Sequence, residues 1–201
     1  MASISEIKSS ITFGGGLARS NKFLVTLPSL GRGGIVGFLG SRNMNILCRT
    51  AQIPGKQTLT HEKRTGMKLE KVAYGYAVED VTLTFLETAT LPVRNYFDDW
   101  RSLILNEDSQ TAAYKSEYQK RVVIHQLAMP LPIAALPILN RIPIDVSAST
   151  YSVELINAFP TTMTGIDYNN EADGFVETTV SMSYTNWKRV PAGQLSFSIN
   201  F

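Results

Sequence analysis

The segment VEDVTLTFLETATLPVRNYFDDWRS, residues 78–102, changes its hydrophobic period halfway along. In its first half Val81, Leu83 and Phe85 alternate with other residues, mainly threonine, which is the two-residue period of a half-buried β-strand. In its second half the apolar residues recur every three or four positions, as on one face of an amphipathic helix. The segment therefore predicts a strand followed by a helix at about residues 91–105, with a core-facing seam formed by Val93, Phe97, Trp100 and Ile104.

The start of this helix has a plausible signal in the sequence. Thr90 precedes Pro92 by two residues. Threonine is a preferred N-cap, and proline is tolerated in the first turn because its missing N–H would have no helical partner there. We therefore expect Thr90 to cap the helix.

Most of the remaining chain alternates as strands do. The strand-like segments lie around residues 21–30, 44–54, 120–129, 149–163 and 174–190. One helix between two groups of strands favours a mainly β fold, with two packed antiparallel sheets in a sandwich or barrel and the helix on the flank. We divide the chain into a flexible N-terminal arm (1–20), a β domain (21–190) with a Pro-rich insert at about 129–148, and a C-terminal arm (191–201).

Two segments are predicted to leave side chains or backbone groups exposed in a monomer. Residues 56–71 begin a polar β-ribbon whose predicted tip is Thr65-Gly66. The tail QLSFSINF alternates cleanly and would expose an apolar face and unpaired backbone if left free. We expect both segments to contact other subunits, through Lys56, His61, Lys63, Arg64, Lys68, Leu195, Phe197, Ile199 and Phe201.

The composition argues against most catalytic chemistry. The 201 residues include one cysteine, Cys48, and two histidines, His61 and His125, in no metal-binding or catalytic spacing. Gly14-Gly15-Gly16 is not followed by the lysine of a phosphate-binding loop, and the acidic stretch around Asp167, Glu171 and Asp173 lacks the register of a calcium loop. We expect no catalytic residue, cofactor or metal, and an inert thiol at Cys48.

Charge and hydropathy narrow the partners further. A net charge of +2, from 19 basic and 17 acidic residues, is too balanced to indicate nucleic acid or an anionic membrane. The most apolar run, residues 127–144, is interrupted by four prolines and is shorter than the ~20 residues that span a bilayer. We expect no membrane partner.

The order of the motifs resembles the tail tube proteins of contractile-tailed bacteriophages. The resemblance covers about residues 17–190 and includes LARSNKFLVTLP, CRTAQIPGKQ, the helix with FDDW, and the closing strands up to SMSYTNWKRV. Each motif is weak by itself, and the ordered set makes the match specific. Baseplate tube-initiator proteins resemble this family too, and type VI secretion tubes share its architecture.

The resemblance implies a structural role as the subunit of a tube. In this family six subunits form a ring whose inner strands join into a continuous β-barrel, and rings stack into a tube inside a contractile sheath. It implies as partners further copies of the chain, the tail sheath protein, a baseplate tube initiator, and DNA that passes through the lumen without sequence recognition. It also implies a location in the virion tail after assembly in the host cytoplasm. An acidic lumen, common in the family, is not evident from the slightly positive composition.

A different class remains open. The segment HEKRTGMKLEK with Tyr74 and Tyr76 could serve a β-barrel that binds single-stranded nucleic acid, since such proteins combine basic grooves with stacking aromatics. We expect most aromatic residues to lie on core faces, which disfavours this alternative.

Overall fold

The computed structural model describes residues 3–13, 17–30, 44–107, 109–127, 149–166, 168–169 and 174–191. Several segments singled out in the sequence lie outside these ranges. They are the glycines at 14–16, the whole Pro-rich insert at 129–148, the acidic residues Asp167, Glu171 and Asp173, and residues 192–201 of the C-terminal arm.

The described chain is mainly β. Its helices are α1 (Ile4–Phe13), α2 (Pro92–Ile104) and α3 (Lys115–Tyr118). Its strands are β1 (Phe23–Thr26), β2 (Cys48–Ala51), β3 (Gln57–Thr65), β4 (Lys68–Ala77), β5 (Val81–Leu86), β6 (Leu105–Asn106), β7 (Thr111–Ala112), β8 (Lys120–Leu127), β9 (Ser149–Met163), β10 (Glu177–Ser183) and β11 (Asn186–Val190).

Strand β9 is long enough to belong to two antiparallel sheets. Its first part pairs with β8 on one edge and β11 on the other, giving sheet A in the order β1–β8–β9–β11. Its last part, from Phe159, pairs with β10, giving sheet B in the order β9–β10–β5–β2. Between the two parts Asn157 has a positive φ of 57°, a conformation that asparagine tolerates better than most residues. Strands β10 and β11 pair with the same edge of β9, since their registers continue across Thr185.

Helix α2 closes the core formed by these sheets. Val93, Phe97 and Trp100 are buried, and Ile104 is half-buried and packs against the same cluster. The Phe97 ring lies 5.7 Å from the ring of Phe85 on β5, and the Trp100 indole N–H donates to the carbonyl of Tyr118 at 2.8 Å. The four residues at the three-to-four residue spacing therefore all lie on the packing face of α2.

The predicted N-cap is wrong. Leu91, in a left-handed conformation with φ 48°, occupies the N-cap position and supplies no side-chain hydrogen bond. The carboxylate of Glu87 accepts instead from the backbone N–H groups of Val93 and Arg94, at 3.3 and 2.9 Å. The same carboxylate accepts from the buried hydroxyl of Thr178 at 2.6 Å. A carboxylate satisfies free N–H groups and favours the positive end of the helix dipole, so it serves better here than the hydroxyl of Thr90.

The fold class agrees with the sequence in its main features. Antiparallel sheets with a flanking helix are present; sheets A and B are continuous through β9, and the described residues do not form a closed barrel. The sequence predicted one helix, whereas α1 and the single-turn α3 are also helical. Helix α1 falls within residues 1–20, for which the small and polar residues predict a flexible arm. Its side chains are mostly exposed, so the apolar periodicity that usually identifies a helix is weak there.

Candidate assembly surfaces

Strands β3 and β4 form a two-stranded ribbon that lies apart from both sheets. They pair from Gln57↔Ala77 to Thr65↔Lys68, with the turn at Gly66-Met67, close to the predicted tip. Apart from half-buried Leu59 and Ala77, every strand residue of the ribbon is exposed. A two-stranded ribbon is marginal in water unless something covers one of its faces. The ribbon is therefore a candidate surface for assembly.

The charged residues predicted as contacts lie toward the tip of this ribbon. Lys63, Arg64 and Lys68 are exposed, and none of them has an ion pair with another described residue. Arg64 donates from Nε to the carbonyl of Gly66 at 3.1 Å, which ties it to the turn. The Met67 side chain at the tip is fully exposed. The tip thus presents cations around an apolar side chain.

The base of the ribbon is anchored to sheet A. The Lys56 ammonium lies 4.8 Å from the centre of the Tyr76 ring and 5.0 Å from that of Trp187 on β11. The Trp187 indole N–H donates to the carbonyl of Gly55 at 3.3 Å. Lys56, predicted as a contact with another subunit, is thus engaged within its own chain. His61, another predicted contact, lies against Tyr74, with 5.8 Å between ring centres.

The face of sheet B opposite α2 carries hydroxyl groups. On one face β5 and β10 bury Val81, Leu83, Phe85, Thr178, Val180 and Met182. The alternate positions pair Thr84 with Thr179 and Thr82 with Ser181, and Thr50 of β2 pairs with Thr84. The hydroxyls of Thr84 and Thr179 are 3.2 Å apart. We call these five residues the hydroxyl face; its neighbouring charges, Arg49 and Glu177, form an ion pair with each other.

Sheet A presents a different, charged row. Lys188 of β11 is the cross-strand partner of Glu154 on β9, and Arg121 of β8 reaches the same carboxylate, with Nε 3.3 Å from Glu154 Oε1. Arg121 and Lys188 are exposed, whereas Glu154 is half-buried. Two cations around one carboxylate give this row a positive excess that the hydroxyl face lacks.

Cys48, His125 and Tyr96 are titratable groups whose pKa values are shifted by burial. Burial raises the pKa of the Cys48 thiol to about 12, which keeps it protonated at neutral pH. Burial lowers the pKa of His125, whose Nδ1 lies 2.8 Å from the hydroxyl of Ser152. Burial also raises the pKa of Tyr96, which donates its hydroxyl to the carbonyl of Pro28 at 2.6 Å.

The described residues contain no cluster of three or more histidine, cysteine or acidic side chains able to hold a metal ion. Among the helices in these ranges, none has both the length and the apolar character to cross a bilayer.

A family model ties these features to known proteins. The model described as Phage tail tube protein matches residues 18–190. The chain belongs to the phage tail tube protein family. The resemblance stated from the ordered motifs is confirmed, and it covers almost the same range. No curated protein matches the chain.

Solved structures with the same fold come from contractile injection machines. The tube terminating cap of the anti-feeding prophage superposes with a TM-score of 0.58 at 15% identity, covering 87% of this tail tube family chain and 91% of the cap chain. A chain of the PVC sheath/tube terminator gives 0.55 at 12% identity, with coverage of 87% and 97%. A chain of the PVC sheath-tube complex gives 0.50 at 13% identity, with coverage of 94% and 99%. At such low identities the likeness concerns the fold alone.

Proposed function

We propose that the chain is a structural, non-enzymatic subunit of a contractile phage tail tube. Six copies form a ring whose inner strands join into a continuous β-barrel, and the rings stack into the channel through which DNA passes. The exposed β3–β4 ribbon is the observation that carries this proposal. A ribbon of 21 residues, Gln57–Ala77, that is open on both faces gains enough buried surface to stay ordered only when another subunit covers it.

The position of α2 supports an orientation for the subunit in the ring. Helix α2 covers one face of sheet B through Phe97 and Phe85, and the hydroxyl face lies on the other side. We assign the hydroxyl face to the lumen and α2 to the outside. The hydroxyl face carries no net charge, and the Arg49–Glu177 pair beside it is neutral as a whole. This surface therefore has no excess of cations that would hold DNA as it passes. The lumen is then close to neutral at these residues, in place of the acidic lumen that the family suggests.

The partners follow from the machines in which the fold recurs. The structural neighbours include chains of a sheath-tube complex, a tube terminator and a tube cap. We propose that this chain likewise contacts a tail sheath protein on its outside and a baseplate initiator at the tube end. Its place is the virion tail, assembled in the host cytoplasm.

The deciding experiment is electron microscopy of the purified chain combined with sedimentation analysis over a range of concentrations. We expect six-fold rings that stack into tubes as concentration rises. A chain that stays strictly monomeric at the highest concentration, with no rings, would overturn the proposal.

A baseplate tube initiator is the second candidate. A chain of the six-fold symmetrised anti-feeding prophage baseplate has the same fold, with a TM-score of 0.55 at 14% identity. Polymer length discriminates the two roles, because a tube subunit adds rings without limit whereas an initiator stops at a fixed number.

Binding of single-stranded nucleic acid is the alternative from another class. Tyr74 and Tyr76 are 66% and 52% exposed, so the expectation that aromatics lie on core faces is wrong for these two. Lys56 already lies over the Tyr76 ring, which leaves less of that face for a base. Affinity for short single strands that falls steeply with salt would favour this alternative over the tube.

A further inference from the structure

A groove runs between the C-terminal end of α2 and the last part of β9. Its volume is about 270 Å³. Apolar side chains dominate its lining, which comprises Phe97, Arg101, Ile104, Leu105, Phe159, Pro160, Thr161, Thr162 and Met163. Leu105 lies at its mouth and is 48% exposed, so part of the apolar lining is open to solvent.

One wall of this groove is a strand edge without a partner in the described chain. Strand β8 pairs with β9 only up to Ala158, opposite Lys120. Beyond that point β10 covers one edge of β9, and no described strand pairs with the other edge from Pro160 to Met163. Proline is typical of such edges because it has no N–H to donate to a ladder. A free edge beside an apolar groove is suited to accept an additional extended segment.

The chain contains a segment of matching chemistry outside the described residues. Residues 194–201, QLSFSINF, place Leu195, Phe197, Ile199 and Phe201 at alternate positions and polar residues between them. Added as a strand, such a segment directs its apolar side chains to one face and its polar side chains to the other.

The geometry of β11 argues against the same chain filling its own groove. Strand β11 ends at Val190, opposite Ser152, whereas the groove lies at Thr161 on the opposite edge of β9. Ser152 and Thr161 are nine residues apart, which is about 30 Å along a straight strand. If β9 turned through a right angle at Asn157, the distance between these two residues would still be about 20 Å. Leu195 is five residues beyond Val190 and reaches at most ~18 Å. Within one chain only the residues beyond Leu195 could therefore reach Thr161, whereas a neighbouring copy could present any part of the segment to the groove.

We propose that the groove between α2 and β9 receives residues 194–201 of a neighbouring copy of this chain, as a strand added to the free edge at Pro160–Met163. The inference rests on the proposed self-assembly and deepens it by naming the segment and its receptor. It makes each subunit donor of one strand and acceptor of another, which is a head-to-tail contact of the kind that forms a ring when its rotation closes.

Cross-linking of the full-length chain tests this directly. Two single variants, Thr161→Cys and Ser198→Cys, are prepared in a Cys48→Ala background and carry different mass tags. They are mixed before assembly and oxidised, so any disulfide between the two tags joins two chains. We expect the mixed-tag dimer as the main product. A third variant, Asp99→Cys on the exposed outer side of α2, replaces Thr161→Cys as the control and should give little of it.

A groove variant provides the second measurement. Leu105→Glu places a charge at the half-exposed mouth, and we expect it to lower the yield of the mixed-tag dimer roughly tenfold or more, because a carboxylate is costly to bury against apolar side chains. Tyr114→Glu, at a side chain that is 80% exposed and does not line the groove, is the matched control and should leave the yield unchanged.

Microscopy of the same samples distinguishes failure of the groove inference from failure of the ring proposal. Rings without the mixed-tag dimer, or with as much dimer from Asp99→Cys, would overturn the groove inference and leave the ring proposal intact. A chain carrying both Thr161→Cys and Ser198→Cys that forms only an internal disulfide would also overturn it. Absence of both rings and cross-links would overturn both.

Discussion

At the scale of single residues, Glu87 joins two elements that are distant in sequence. Its carboxylate caps the N-terminus of α2 and accepts from Thr178 on β10. No pattern around residue 87 suggests this role, because the usual capping signal is sought at the residue next to the helix. The cap depends on β5 delivering Glu87 to the helix end, which only the packed structure does.

Replacing this carboxylate should destabilise the subunit. For Glu87→Ala we expect a loss of about 1–3 kcal/mol in the free energy of unfolding, because two backbone N–H groups and the Thr178 hydroxyl lose their acceptor. Urea denaturation measures the loss. Glu107→Ala removes an exposed ion pair with Arg101 and serves as control, with an expected change within ~0.5 kcal/mol. Equal losses in the two variants would contradict the role of Glu87.

His125 should make stability depend on pH. Burial lowers its pKa in the folded state, so the folded chain binds fewer protons than the unfolded chain once the pH falls below the ordinary histidine value of about 6.5. The stabilisation is complete above that value and is lost progressively as the pH falls toward the folded pKa.

We therefore expect the melting temperature to decrease from pH 7 toward pH 5 in the native chain. In His125→Gln the decrease over that interval should be smaller, because the titrating group is absent. Calorimetry at several pH values compares the two slopes, and parallel curves would show that other groups govern this range.

At the scale of elements, the β3–β4 ribbon is defined by its exposure. Alternating polar residues and the Thr65-Gly66 signal were sufficient to predict its strands and its tip, because a hairpin register is set locally by the turn. That Lys56 anchors its base on Trp187 was beyond prediction, since the two residues are far apart in sequence.

Charge reversal at the tip should affect assembly more than folding. In Lys63→Glu combined with Arg64→Glu we expect tubes to be shorter or absent, because both cations are exposed and have no ion pair with a described residue, so acidic groups of another subunit can pair with them. The melting temperature of the subunit should change little. Sedimentation and melting curves provide the two readouts.

The matched control keeps both charges and exchanges the residues, Lys63→Arg with Arg64→Lys, and should assemble. If the reversed variant lost stability and assembly to the same extent, the contacts of the tip would be within the subunit.

At the scale of the whole molecule, sheet B separates a helix-covered side from the hydroxyl face. Assignment of the hydroxyl face to the lumen predicts different accessibility in tubes and in free subunits. In a Cys48→Ala background, Thr82→Cys should react with a bulky polyethylene-glycol maleimide in free subunits and far more slowly in tubes, because the reagent must enter the channel. Asp99→Cys on α2 should react both in free subunits and in tubes, provided that the tubes carry no sheath. Protection of Asp99→Cys together with rapid reaction of Thr82→Cys in tubes would reverse the assignment.

Removal of the C-terminal segment tests whether it serves assembly. Deletion of residues 192–201 should leave a folded subunit, because the buried cluster of the described chain is built from residues up to Trp187, and should weaken ring formation. Circular dichroism and sedimentation measure the two effects. A truncated chain that does not fold would show that the segment belongs to the core, and one that assembles normally would show that it is dispensable.

The sequence by itself determined the main strands, the helix α2 and the family. Local periods sufficed for β5 and the seam of α2, because side-chain direction repeats every two residues in a strand and every 3.6 in a helix. The ordered motifs sufficed for the family, which the family model confirms over residues 18–190. Only the tertiary structure decided how β9 divides between two sheets, why Glu87 caps α2, and where a groove meets a free strand edge. These features depend on contacts between residues separated by tens of positions, as in Thr178 with Glu87, and a local pattern contains no information on which distant segment will pack against it.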